Sequence, residues 1–176
     1  VDPAAVLDFV TPTEFVELPS KGIGYPSGHP LYEKETIEIR FMTAKDEDIL
    51  TSRSLLKKGV ALDRLIDNLL VDKTFGSKDI LVGDRNAIII AARSSAYGHL
   101  YQTKVQCPAC GTSNKVTFDL SNPYIFEGDL NEFDVEETES GSYVATTPKS
   151  QIKVELRLLT GHDESKIVKL MNANKK

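Results

Sequence analysis

Polar and apolar positions alternate most cleanly along Glu35–Met42, where Ile37, Ile39 and Phe41 share one side. That pattern predicts a half-buried strand. The period then changes. Thr43 followed by Asp46 is a variant capping box, and Asp46 and Glu47 put acids in a first helical turn, where the helix dipole favours them. This helix is expected to run through Ile49 and Leu50 to Leu55 or Leu56, with Lys57 and Lys58 in its last turn and Gly59 just beyond. A second helix, Leu62–Leu70, sets Leu62, Leu65, Ile66, Leu69 and Leu70 at spacings of three and four against Asp63, Arg64, Asp67 and Asn68. A third is predicted from Arg85 to about Tyr97, capped by Asp84, ended by Gly98 and deep in the core. Its centre, Ala87–Ala92, has almost no polar face. Three consecutive isoleucines also suit a buried strand, but four alanines and the flanking Arg85 and Arg93 favour helix.

Beyond Gly98, Leu100–Cys107 and Lys115–Leu120 have strand character and predict a hairpin tipped by C-P-x-C-G. Asn122–Pro123 breaks that pattern, and the acidic Glu132–Glu139 is expected as a strand edge or loop. Tyr143–Thr146 and the alternating Gln151–Leu158 predict a second hairpin. Gly161–Asn172 closes as a short helix with Ile167, Val168, Leu170 and Met171 as its stripe. Residues 1–34 read differently. Pro3, Pro12, Pro19, Pro26 and Pro30, with Gly22, Gly24 and Gly28, exclude a continuous helix. Phe9, Val10, Phe15, Val16 and Leu18 are too many for a solvated tail, so an extended arm lying on its own domain or a neighbour is expected. The fold class is therefore α+β: a single domain over 35–176, with a central core of three helices spanning Thr43–Tyr97 and antiparallel hairpins. No internal repeat of 20 residues or more is visible.

Composition narrows the function. The chain has 176 residues and a formal charge of −5, with a pI near 5.3. It shows no basic footprint for nucleic acid. The longest apolar run, Ala87–Ala92, is far below the roughly 18 residues needed to span a bilayer. The start, VDPAAVLDFV, lacks the pattern of a signal peptide, and a reducing cytoplasmic origin is the default expectation. G-x-S-x-G is absent, and Gly22-Ile23-Gly24 lacks the Lys-Ser/Thr of a phosphate loop. The acids Asp46–Glu47–Asp48 are explained by a helix start, and Glu136–Glu139 by a solvated face.

The two cysteines carry the one strong chemical signal. Cys107 and Cys110, with Gly111 behind them, are half of a zinc knuckle. Zinc takes four N or S ligands, and no second C-x₂-C follows. His29, His99 and His162 are remote in sequence, so an intrachain site would need the arm and the last loop to converge on the tip. A metal-free turn set by Pro108 and Gly111 is favoured, ahead of an intrachain site and then of a site shared between two copies, each giving Cys107 and Cys110. Thiol redox chemistry would place C-x-x-C at a helix N-terminus, whereas here a strand follows.

The order of motifs resembles a family of baseplate hub proteins from T-even-like contractile-tailed bacteriophages. Its carriers are Met42, Thr43, Asp46, Glu47 and Leu50, then Gly59, then Gly83-Asp84-Arg85, then Arg93, Tyr97 and Gly98, then Cys107, Cys110 and Gly111. They cover roughly residues 35–120. The resemblance implies a structural or assembly role without catalysis or cofactor. It implies other tail and baseplate proteins as partners, with no nucleic acid and no membrane. Several copies would surround the tail axis of a virion assembled in the host cytoplasm. Asp84, Arg85, Arg93 and Tyr97 become the candidate polar organisers of a core or interface. A zinc-knuckle adaptor binding nucleic acid or protein is the alternative reading.

Overall fold

A computed structural model describes residues 11–121, 123, 125, 135–138 and 140–173. Among these, five helices combine with small antiparallel sheets, two of two strands and one of three. Strand β1 (Thr13–Glu17) pairs antiparallel with β2 (Thr36–Arg40), with Thr13 opposite Arg40 and Glu17 opposite Thr36. Helices α1 (Ala44–Thr51), α2 (Arg53–Lys58), α3 (Ala61–Leu69) and α4 (Val82–Tyr97) follow. The hairpin β3 (Leu100–Gln106) and β4 (Ser113–Asp119) comes next. Strands β5 (Val135–Glu137), β6 (Tyr143–Thr146) and β7 (Lys153–Leu156) form the third sheet, and α5 (Gly161–Ala173) ends the described chain.

Over residues 11–34 the expected arm is instead part of the domain. The ladder of β1 and β2 continues through Leu18 N donating to Glu35 O at 2.7 Å, and Leu18, Tyr25 and Leu31 are buried in the core. Pro19, Pro26 and Pro30 sit in the tight turns joining the two strands, where a missing N–H costs nothing. Residues 1–10, including Phe9 and Val10, lie outside the described residues.

The first predicted helix is two. Ser52 is extended (φ −66°, ψ 108°) and separates α1 from α2. Thr51 Oγ1 donates back to Glu47 O at 3.0 Å, the competition with the helical ladder that hydroxyl side chains offer. Gly59 ends α2 in the left-handed conformation that favours glycine (φ 67°). Helix α4 begins three residues earlier than expected, with Leu81 at the cap position, so Asp84 lies inside the first turn and is not the cap. Its buried stripe is Asp84, Arg85, Ile88 and Ala92, while Ile89 and Ile90 are only partly buried; the helix is less deep than its composition suggested.

Ile37 and Ile39 of β2 pack with Leu65, Ile66 and Leu69 of α3 and with Ile88 and Ala92 of α4, joined by Leu18, Tyr25 and Leu31 from the turns. Among the described residues every buried hydrophobic side chain lies between Val16 and Ala92. The described residues after α4 bring none to the core.

Candidate functional site

The polar residues singled out in sequence fall into two groups at opposite ends of α4. Arg85 and Tyr97 are twelve residues apart on that helix, roughly 18 Å along its axis. At the N-terminal end the buried Asp84 carboxylate accepts from Ser20 N (3.0 Å), Ser20 Oγ (2.6 Å) and the Tyr25 hydroxyl (2.7 Å). Tyr25 oxygen in turn accepts from Leu81 N at 3.0 Å. Burial, then the Asp84 charge, pushes the Tyr25 hydroxyl far above its ordinary value. Arg85 is 6% exposed. Its Nη2 pairs with Asp63 of α3 and its Nη1 with Glu164 of α5 at 2.5 Å, so one guanidinium ties three helices together.

At the C-terminal end Arg93 lies over the rings of Tyr97 (5.6 Å) and Tyr101 (5.2 Å) and donates to Gly98 O at 2.8 Å. Tyr97 hydroxyl donates to Glu47 of α1 at 2.6 Å. Tyr101 stacks on Phe118 across the hairpin. This group anchors the base of β3–β4 to the helices.

On either side of α4 in the chain lies a duplication shorter than 20 residues. Residues 37–50 and 154–167 align without gaps and share Glu38/Glu155, Arg40/Arg157, Thr43/Thr160, Asp46/Asp163 and Glu47/Glu164. The shared residues make the same bonds. Arg40 clamps Asp46 with Nη1–Oδ2 2.7 Å and Nη2–Oδ1 2.9 Å; Arg157 clamps Asp163 at 2.6 and 2.7 Å. Thr43 N and Oγ1 each donate to Asp46 Oδ2 at 2.8 Å, and Thr160 does so to Asp163 at 3.1 Å. Glu38 accepts from Thr13 Oγ1 of β1, and Glu155 from Ser142 Oγ beside β6, at 2.7 and 2.6 Å. Burial would raise the Asp46 carboxyl, but the Arg40 guanidinium and the Thr43 donors outweigh it and hold it well below the carboxylate range. Arg157, then the Thr160 N–H, do the same for Asp163. The signal in sequence was R-x-x-T-x-x-D-E, present twice.

Cys107 and Cys110 stand at the tip of β3–β4. Cys107 N donates to Thr112 O and Gly111 N to Cys107 O, both at 2.9 Å, and Gly111 takes φ 72°. The Thr112 hydroxyl lies 3.3 Å from the Cys110 sulfur. That contact, the Thr112 N–H and the neighbouring Cys107 thiol draw the Cys110 thiol below its ordinary value. None of the histidines joins the tip. His99 is at the hairpin's base, seven strand residues or roughly 20 Å away. His162 pairs with Asp79 at 3.2 Å, and His29 stacks on Tyr25 with centroids 4.6 Å apart. Among the described residues no group of three or more His, Cys, Asp or Glu side chains is arranged to hold a metal within the chain.

A cleft of about 380 Å³ brings His29, Asp79, Ser142, Arg157 and His162 together. Each polar group there answers to a different neighbour: Ser142 donates to Glu155, Arg157 holds Asp163, and His29 Nδ1 accepts from Leu31 N. Among the described residues no serine–histidine hydrogen bond forms in the cleft, and His162 pairs there with Asp79. Acidic Asp46–Glu47–Asp48 is divided in the same way, Asp46 to Arg40 and Glu47 to Tyr97. Among the described residues no helix is long and apolar enough to cross a membrane.

Among the described residues the charged side chains close internal clamps, and many apolar side chains after α4 are exposed. The sequence model of a family described as T4 bacteriophage base plate protein matches residues 12–176, and the chain belongs to that family. It is a phage baseplate protein, with other baseplate and tail proteins as its associates. No curated protein and no solved structure matches it.

Proposed function

We propose that this protein is a structural or assembly component of the hub region of a contractile-tail baseplate, and that it works through protein–protein contacts without catalysing a reaction. The observation that carries this reading is the outward display of apolar surface after α4. Tyr101, Val105 and Phe118 on the hairpin and Ile167, Leu170 and Met171 on α5 are all exposed, and no described residue of this half enters the core. Monomeric soluble proteins rarely leave apolar groups clustered on one element, and such clusters mark contact surfaces. The motif order over residues 35–120 supports placement at the hub. The chain's acidic balance suits contact with protein rather than with nucleic acid.

The test is to assemble tails with this protein carrying a small electron-dense tag and to locate it by electron microscopy. Density at the central hub supports the proposal. Density confined to the periphery overturns the hub placement, and catalytic turnover abolished by substitution in the His29–His162 cleft overturns the non-enzymatic part. Zinc near one atom per chain, together with nucleic-acid binding that weakens steeply with salt, would replace the proposal with the adaptor reading.

A further inference from the structure

We infer that the tip of the β3–β4 hairpin is half of a tetrathiolate zinc site, completed by Cys107 and Cys110 of a second copy of this chain. The tip already has the shape of a metal knuckle. Both thiols sit within one six-residue turn, closed by Cys107 N to Thr112 O and by Gly111 N to Cys107 O. Cys110 Sγ lies 3.3 Å from Thr112 Oγ1, so the second thiol is held within the same turn by its own loop.

The missing ligands cannot come from the same chain's described residues. The hairpin projects away from the helices, with most of its side chains exposed, and His99 remains at its base. Two donors are half of what zinc takes. A second copy supplies the other half in a self-complementary way, since a two-fold interface sets each patch against its own image. Charge favours the same occupant. Four thiolates around Zn²⁺ carry a net charge of −2, and Lys104 and Lys115 face each other across the hairpin close below the tip. Two hairpins therefore bring four lysines toward that anion. Exposed Val105 on β3, two residues before Cys107, gives the two tips apolar surface to bury. Proton balance is simple: four thiols become four thiolates, zinc takes their place, and the protons go to solvent.

This inference stands apart from the hub placement, because it is read on the purified protein alone. The protein is purified under reducing conditions, supplied with zinc, and measured for metal content and mass in solution. The expected result is one zinc per two chains in a dimer, dissociated by a strong chelator. Cobalt in its place should give the intense absorption of a tetrahedral tetrathiolate centre. Cys107→Ser and Cys110→Ser, singly, should abolish metal retention and leave a folded monomer. Absence of bound zinc, one zinc per monomer, or a dimer unchanged by chelator and by both substitutions overturns the inference. A Cys107–Cys110 disulfide that persists under reduction and excludes zinc also overturns it.

Discussion

Asp84→Asn is the most discriminating single change in the fold. It preserves shape, because asparagine is isosteric with aspartate, and alters only hydrogen bonding and charge. Asp84 receives three bonds in a buried site: Ser20 N on Oδ1, and Ser20 Oγ and Tyr25 Oη on Oδ2. The amide keeps the first and replaces the second acceptor with an NH₂ group facing two hydroxyl donors. Tyr25 cannot turn its oxygen elsewhere without losing the bond from Leu81 N. Hydrogen bonds to a charged group contribute about 1.5–3 kcal/mol each, so two lost bonds cost about 3–6 kcal/mol. Removing a buried charge returns part of this, leaving about 2–4 kcal/mol. For a domain of this size that corresponds to a fall in Tm of roughly 5–15 °C. Urea unfolding followed by circular dichroism should show a lowered midpoint with an unchanged slope. Tyr25→Phe and the double variant complete a cycle, and the two substitutions should be strongly non-additive because they remove the same bond. A loss below about 1 kcal/mol, or additivity within error, would refute the assignment of Asp84 as the anchor between the β1–β2 turns and α4.

The two arginine–aspartate clamps make stability depend on acid. Both carboxyls are held below their ordinary value of 3.8. Their contribution is therefore complete above that value and is lost progressively as pH falls from it down through the depressed folded-state value, so unfolding free energy should be level above about pH 5 and decline in acid. Asp46→Asn and Asp163→Asn should each flatten the decline, and an unchanged acid limb in both would count against the clamps. Gly161→Ala should destabilise by about 1–3 kcal/mol, because an added Cβ would lie 2.9 Å from Lys78 Cα and 2.9 Å from Arg85 Nη1. The matched Ala44→Gly should cost only about 1 kcal/mol of helix propensity; equal effects in thermal unfolding would contradict the close approach at Gly161. Arg85→Met should release α5 from α4, seen as faster hydrogen exchange of α5 amides with α3 less affected. Unchanged exchange in α5 would show that Glu164 does not hold it.

Local signals were legible in the sequence where they acted locally. The alternation over β2, the Thr43–Asp46 box, the stripe on α3, Gly59 and the cysteine-tipped hairpin all work within a few residues, and each element appears where its pattern lies. What could not be read was long-range. β1 has five residues, Phe15 is exposed and Val16 buried, and its partner lies beyond a connection rich in proline. Those prolines resemble an arm because turns and arms use the same residues. Asp84 reads as a cap because acids at helix starts usually are, and its true donors, Ser20 and Tyr25, come from the segment already taken for an arm. Arg85, Arg93 and Tyr97 were identifiable as polar residues on an apolar helix, but their partners Asp63, Glu164 and Glu47 were not.

The duplication gives α4 its place in the architecture. Each unit has a strand pair, an arginine–aspartate clamp and a following helix, and each presents its last shared glutamate to α4. Glu47 meets Tyr97 near one end of that helix and Glu164 meets Arg85 near the other. The two glutamates are equivalent in sequence, yet one is met by a phenol and the other by a guanidinium shared with Asp63. The difference follows from what surrounds each helix. Beside α1, α3 supplies Leu65 and Leu69, and Leu50 packs against the core they help to form. The matching Ile167 on α5 is exposed, as are Leu170 at 64% and Met171 at 56%. With few apolar side chains buried, α5 is tied through its first turn, by Glu164 to Arg85, by His162 to Asp79, and by Gly161 N and His162 N donating to Ile80 O and Lys78 O; a lone helix of this length is marginal in water. The first unit is thus finished within the chain, while the second keeps its clamp and leaves its helix face open. Among the described residues a covering helix stands beside α1 and none beside the exposed stripe of α5, so equivalent local sequences have been put to different ends, and that stripe is the part of the described fold with most to gain from a neighbouring chain.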